Sequence, residues 1–84
     1  MFDYKMNYLE VLETIEEYKK RIEEDERWLP RLYSPKVIQQ TKIGIDMYKR
    51  MIARYEEELP QLKEEYKQAE IARLTAELER IKNL

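Results

Sequence analysis

An 84-residue chain with a net charge of −2 and 40% charged residues is long enough for one domain and no more. Cysteine is absent and glycine occurs once, which excludes disulfides and thiolate metal sites and is typical of long solvated helices. The 43% apolar content argues against disorder, because it suffices to cover one face of each helix. A core of this size is marginal alone, so oligomerisation is expected.

The first segment carries apolar residues at alternating steps of three and four, which puts them on one face of a helix. The positions are Met1, Tyr4, Tyr8, Val11, Ile15, Tyr18, Ile22, Asp25, Leu29 and Leu32. Asn7 and Glu10 have the spacing of a capping box, although Asp3 offers an earlier start. Pro30 forces the residue before it out of the helical conformation. We therefore predict a first helix over about residues 7–28.

A second helix is predicted to begin at Ser34 and Pro35, because serine is a favoured N-cap and proline loses nothing at the first helical position. Its stripe repeats the same spacing at Ile38, Thr41, Ile45, Tyr48, Ile52, Tyr55, Leu59, Leu62 and Tyr66. The short connection favours an antiparallel return. A hairpin turning at 29–35 places Tyr18 near Ile45, with Gly44 either at a close approach of the two backbones or on the surface.

The chain after Pro60 decides between two all-α folds. The connection after Pro30 contains serine and proline, whereas the residues after Pro60 include no glycine, serine or asparagine to make a turn. We therefore expect an antiparallel helical hairpin whose second helix, over about 35–59, continues with a kink near Pro60. The C-terminal coiled-coil extension then covers about 61–82. A three-helix bundle, in which this last segment folds back, is the alternative.

The apolar stripe changes face in the last third of the chain. Its residues there are Ile71, Leu74, Leu78 and Ile81. This seam lies roughly 60–120° around the helix from Leu62 and Tyr66. A stripe that changes face changes its packing partner, so we predict that these four residues mediate self-association, as a homodimer.

Side chains suited to catalysis and metal binding are scarce. The chain has no histidine and no cysteine, and its only serine is the predicted cap Ser34. Consecutive carboxylates at 23–26 and 56–58 fan around their helices and cannot converge on one ion. We therefore predict no catalytic residue, no metal site, no cofactor and no enzymatic activity. Four bases on the second helix (Lys42, Lys49, Arg50 and Arg54) are too few to indicate nucleic-acid binding.

Aromatic residues are the most informative side chains. Five tyrosines occupy stripe positions, where we expect rings inside and hydroxyl groups at the rim; these are Tyr8, Tyr18, Tyr48, Tyr55 and Tyr66. Trp28, Leu32 and Tyr33 instead cluster at the hairpin tip, where they serve either as binding anchors or as a cap on the bundle end. Together with Glu23 and Glu24 on the acidic face of the first helix, they are the predicted partner-binding residues.

The sequence therefore predicts a non-enzymatic protein-interaction module. It would self-associate through coiled-coil seams and present an aromatic tip and an acidic face to a protein partner. A small phage- or plasmid-type inhibitor that blocks a nucleic-acid enzyme is one alternative, and a weak nucleic-acid binder using the basic second helix is another. No apolar run approaches the roughly 18 residues of a membrane span, and the N-terminus lacks the order of a signal peptide. We therefore expect a soluble, cytoplasmic protein.

Overall fold

The protein is an antiparallel helical hairpin in which the second helix is more than twice as long as the first. The computed structural model describes residues 5–84, so Met1, Asp3 and Tyr4 lie outside the described residues. Helix α1 spans Tyr8–Trp28, a short 3-10 helix spans Leu29–Arg31, and helix α2 spans Pro35–Lys82. The predicted all-α hairpin is confirmed, and no strand occurs among residues 5–84.

Both helices begin at the predicted caps. The Asn7 side-chain oxygen accepts a hydrogen bond from the Glu10 amide at 2.9 Å, which satisfies one of the amides that a helix leaves unpaired at its start. Ser34 caps α2 in the same way, with a longer 3.5 Å bond from the Val37 amide.

Helix α1 ends at Trp28, two residues before Pro30. The expected effect of Pro30 on the residue before it is wrong, because Leu29 keeps a helical conformation (φ −48°, ψ −48°) and its amide still bonds to the Asp25 carbonyl. The chain instead tightens into the 3-10 helix that contains Pro30.

Helix α2 continues through Pro60 as one helix of 48 residues. The molecule is accordingly 69 Å long and 24 Å wide, which matches a rise of about 1.5 Å per residue. The segments expected at 35–59 and 61–82 are therefore a single helix. The three-helix bundle is not adopted, because residues 71–84 lie exposed rather than folded back. A kink at Pro60 stays a prediction.

The core lies where the first half of α1 packs on the middle of α2. Its buried members are Val11, Ile15, Ile52 and Leu62. Half-buried apolar side chains surround them: Met6, Tyr8, Tyr18, Ile22, Tyr55 and Leu59. Ile45 is also buried, nearer the connection. Every one of these residues from Tyr8 onward belongs to one of the two predicted stripes, so the heptad pattern identified the core.

The register of the two helices differs from the predicted one by about two turns. The Tyr18 ring lies 5.0 Å from the Tyr48 ring and 6.2 Å from the Tyr55 ring, so it is level with Ile52 rather than Ile45. The connection explains the shift. A 3-10 helix rises about 2 Å per residue and extended chain about 3.3 Å, so residues 29–34 span about the length of ten α-helical residues.

As a result, α2 begins beyond the end of α1, and its first turns lie alongside the connection. The structure also distinguishes the two arrangements predicted for Gly44, a close approach of the backbones or a surface position. A methyl group built on Gly44 meets nothing within 4 Å, so the close approach is wrong.

Candidate interaction surfaces

The last part of α2 forms an arm, residues 71–84, in which every residue is exposed. At its base, the Tyr8 and Tyr66 rings lie 5.7 Å apart at the beginning of α1. The predicted seam residues are roughly half exposed or more: Ile71 53%, Leu74 48%, Leu78 59% and Ile81 65%. None of the described residues covers this face, which we call the arm seam. The arm seam therefore presents four large aliphatic side chains on one face of an uncovered helix.

One flank of the arm seam is acidic and internally ordered. Arg73 donates to the Glu70 carboxylate at 3.0 Å and lies 3.7 Å from a Glu77 carboxylate oxygen. The hydrogen bond from Arg73 lowers the pKa of Glu70. Because these groups are exposed, their ion pairs contribute little to stability. The two ion pairs instead fix the positions of the Glu70 and Glu77 carboxylates along one edge of the arm seam.

The hairpin tip carries two strongly exposed aromatic residues. Trp28 is 51% exposed, and Tyr33 is 96% exposed. The Arg31 guanidinium lies 5.4 Å from the centre of the Trp28 ring, a cation–π contact that limits the motion of both side chains. Leu32 is half-buried, so the strongly exposed aromatic residues of the tip are Trp28 and Tyr33. Sequence reasoning missed Arg31, although its spacing of three residues from Trp28 would have indicated it.

Glu23 and Glu24, on the acidic face of α1, lie close to Trp28 at the tip. Glu23, Glu24 and Trp28 line one shallow depression together with Lys20 and Arg27. Arg27 lies 3.7 Å from the Glu23 carboxylate, which partly offsets the local negative charge. The structure therefore places Trp28, Glu23 and Glu24 around one depression, and their role in partner binding stays a prediction.

Tyrosine rings pack against one another across the hairpin interface, with their planes tilted by 38–48°. The Tyr18 ring contacts those of Tyr48 and Tyr55, and Tyr8 contacts Tyr66. All five rings lie at the helix interface, and Tyr66 sits at its exposed edge. Burial, with a smaller contribution from Tyr55, raises the pKa of Tyr18. These rings act as packing groups at the interface, and Tyr8 and Tyr66 also line an open depression together with Leu62 and Ala69.

The bases of α2 do not form a continuous positive surface. Lys49 pairs with Glu26 across the hairpin at 3.3 Å, and Arg50 pairs with Asp46 on its own helix at 2.6 Å. Two of the four bases named above are thus neutralised by carboxylates.

The described chain offers neither a metal cluster nor a membrane span. Within residues 5–84, no group of three or more acidic, histidine or cysteine side chains could hold a metal ion. Over the same residues, neither helix combines the length and apolar content needed to cross a bilayer.

Six exposed apolar residues among residues 5–84 were missed by sequence reasoning. They are Leu9, Leu12, Val37, Ile43, Met47 and Leu84. Each lies off the heptad stripe, and single exposed apolar residues are common on protein surfaces. The i,i+4 spacing of Ile43 and Met47 was the one signal available for them.

Comparison with known proteins adds nothing to this geometry. No protein-family model matches the chain, and it has no significant match among the curated proteins or the solved structures.

Proposed function

We propose that this protein is a non-enzymatic helical interaction module that self-associates through the arm seam and presents its aromatic tip to a protein partner. The observation that carries the proposal is the arm itself. Ile71, Leu74, Leu78 and Ile81 all lie on one face, and about half or more of each side chain is open to water.

Covering the arm seam is energetically favourable. Burying the exposed half of a large aliphatic side chain contributes on the order of 1 kcal/mol. Four such residues in each chain of a dimer supply several kcal/mol, against the loss of translational and rotational freedom on association. A helix outside the hairpin body is also marginal alone. A second copy of the same helix would both cover the seam and stabilise the arm.

Self-association is tested with a matched pair of charge additions on the arm. Leu78→Glu places a carboxylate in the seam, whereas Ala76→Glu places one on the opposite side of the same helix. We expect Leu78→Glu to convert a dimer into a monomer and Ala76→Glu to leave the dimer intact, as measured by sedimentation equilibrium. A wild-type chain that stays monomeric at high concentration would contradict the proposal.

The tip supports the partner-binding half of the proposal. An exposed tryptophan held by a neighbouring arginine has the composition of an interface hot spot. Glu23 and Glu24 beside Trp28 add charge that would select a partner with basic groups at the rim.

The tip is tested by affinity capture from the native host, with the wild-type chain compared with Trp28→Ala. Leu9→Ala is the matched control, because Leu9 is as exposed as Trp28 (52% and 51%) but lies at the other end of the hairpin. A partner retained by wild type and Leu9→Ala but lost by Trp28→Ala supports the tip. Equal retention by all three would rule it out. The captured protein would also show whether the target is a nucleic-acid enzyme, as the inhibitor alternative requires.

A further inference from the structure

We infer that two arms pair in parallel, so that the dimer carries both aromatic tips at the same end. This inference rests on the proposed self-association and adds its orientation. The arm seam sets the heptad: Ile71 and Leu78 take position a, and Leu74 and Ile81 take position d. Apolar contact alone does not choose an orientation, because these four residues read isoleucine, leucine, leucine, isoleucine in either direction.

The charged flanks of the seam distinguish the two orientations. Glu70 and Glu77 take position g on one flank, and Thr75 and Lys82 take position e on the other. In a parallel pair, each g residue faces the following e residue of the second helix. Glu77 then faces the partner's Lys82, twice in the dimer. In an antiparallel pair, g residues face one another, so Glu77 would lie near the partner's Glu77.

The ion pairs within one chain leave these groups available. Arg73 lies nearer to Glu70 (3.0 Å) than to Glu77 (3.7 Å), so Glu77 is the less tightly held carboxylate. Lys82 has no ion-pair partner among residues 5–84. A second copy in the parallel orientation supplies the missing partner for Lys82, and the charges of the two flanks are complementary.

The pairing stops before the hairpin body. Going back along α2, the next seam positions are Lys67 and Glu64, and like charges facing each other at these positions are unfavourable. The paired segment therefore covers about residues 70–84. Beyond it the two hairpin bodies run side by side towards their tips, about 54 Å from Ile71 to Pro35 at 1.5 Å per residue.

A parallel dimer has a functional consequence for its partner. Two Trp28 side chains at one end form a bivalent surface, which favours a partner with two copies of its own site. Linking two weak sites in this way raises the overall affinity without any new contact. An antiparallel dimer would instead place the tips at opposite ends of a rod more than about 100 Å long, where one small partner could not engage both.

The orientation is tested by cysteine cross-linking, which the absence of native cysteine makes specific. Leu74 faces the partner's Leu74 in a parallel pair and the partner's Leu78 in an antiparallel pair. We expect Leu74→Cys alone to form a disulfide-linked dimer under mild oxidation. An equimolar mixture of Leu74→Cys and Leu78→Cys should then give the two homodimers without an excess of the mixed species. A mixed species that forms while each variant alone does not would overturn the parallel arrangement.

A charge exchange tests the flank contacts without touching the apolar seam. We expect Lys82→Glu to weaken dimerisation by roughly 3- to 10-fold at low salt, since two exposed ion pairs are lost. Adding Glu77→Lys to the same chain should restore it, because the pair is then reversed. Failure of the double variant to recover would count against parallel pairing. A wild-type chain that does not dimerise at all is a different result, and it would end the proposed self-association as well.

Discussion

Gly44 is the residue whose substitution should most simply stabilise the protein. It lies inside α2, where glycine costs about 1 kcal/mol relative to alanine, and a methyl group there meets nothing within 4 Å. We expect Gly44→Ala to raise the free energy of unfolding by about 1 kcal/mol, read from the denaturant midpoint at an unchanged m-value. Ala53→Gly, at an exposed position of the same helix, should lower it by a similar amount. Loss of stability in Gly44→Ala would show that the two backbones approach more closely than the structure indicates.

Tyr18 makes stability depend on alkaline pH. Burial raises the pKa of Tyr18 in the folded chain above its value of about 10 in the unfolded chain. The unfolded chain therefore loses this proton first as pH rises. The contribution of Tyr18 is complete below about pH 10 and is lost as pH rises through the folded pKa. Tyr18→Phe should reduce the fall in unfolding free energy that occurs as pH rises above about 10.

The control for this pH effect is Tyr33→Phe. Tyr33 is 96% exposed and contributes no packing at the helix interface, so this variant should follow the wild-type profile. Denaturant unfolding at several pH values measures both variants against wild type. Identical pH profiles for Tyr18→Phe and Tyr33→Phe would contradict a role for burial of Tyr18.

At the scale of the elements, Pro60 and Pro35 differ in their effect on the stability of the same helix. Pro60 lies in the interior of α2, where it removes a hydrogen bond and costs on the order of 3 kcal/mol. Pro35 is the first residue of the helix, where no such bond is lost. Pro60→Ala should therefore stabilise the protein by up to about 3 kcal/mol, whereas Pro35→Ala should change its stability little. Thermal unfolding followed by circular dichroism checks both variants, and equal effects would contradict this account.

The elements could be predicted from sequence because their signals are local. The cap at Asn7, the stop before Pro30 and the heptad phase of the arm seam each depend on residues within one or two turns. The register could not be predicted in this way. It depends on how residues 29–34 fold, and two of them, Leu29 and Leu32, are half-buried against the rest of the hairpin. Tertiary contacts therefore set the path of the connection.

The arm seam and the tip also differ in how far they could be predicted from the sequence. Exposure of the arm seam followed from the change of face that the sequence shows at Ile71. The tip depended on three-dimensional detail, because Leu32 turns partly inward while Arg31 lies against Trp28. The partial burial of Leu32 has no signature in the heptad pattern, so the structure is needed to distinguish Leu32 from the strongly exposed Trp28 and Tyr33.

At the scale of the whole molecule, the hairpin body and the arm have different sources of stability. The body buries Val11, Ile15, Ile52 and Leu62 between two helices, so its amides should exchange hydrogen only on global unfolding. The arm is a single uncovered helix, and a segment this short is marginal in water. We expect amide protection in residues 72–82 to rise with protein concentration, while protection of the body amides exceeds it at every concentration.

Hydrogen exchange followed by mass spectrometry over a dilution series measures both parts of the chain in one experiment. Leu78→Glu is the control, because it should abolish the concentration dependence in the arm and leave the body unchanged. The proposed dimerisation would protect the arm by mass action, so the midpoint of that protection should coincide with the dissociation constant from sedimentation. Protection of the arm that is independent of concentration would mean that contacts within one chain stabilise it, and the self-association would then be wrong.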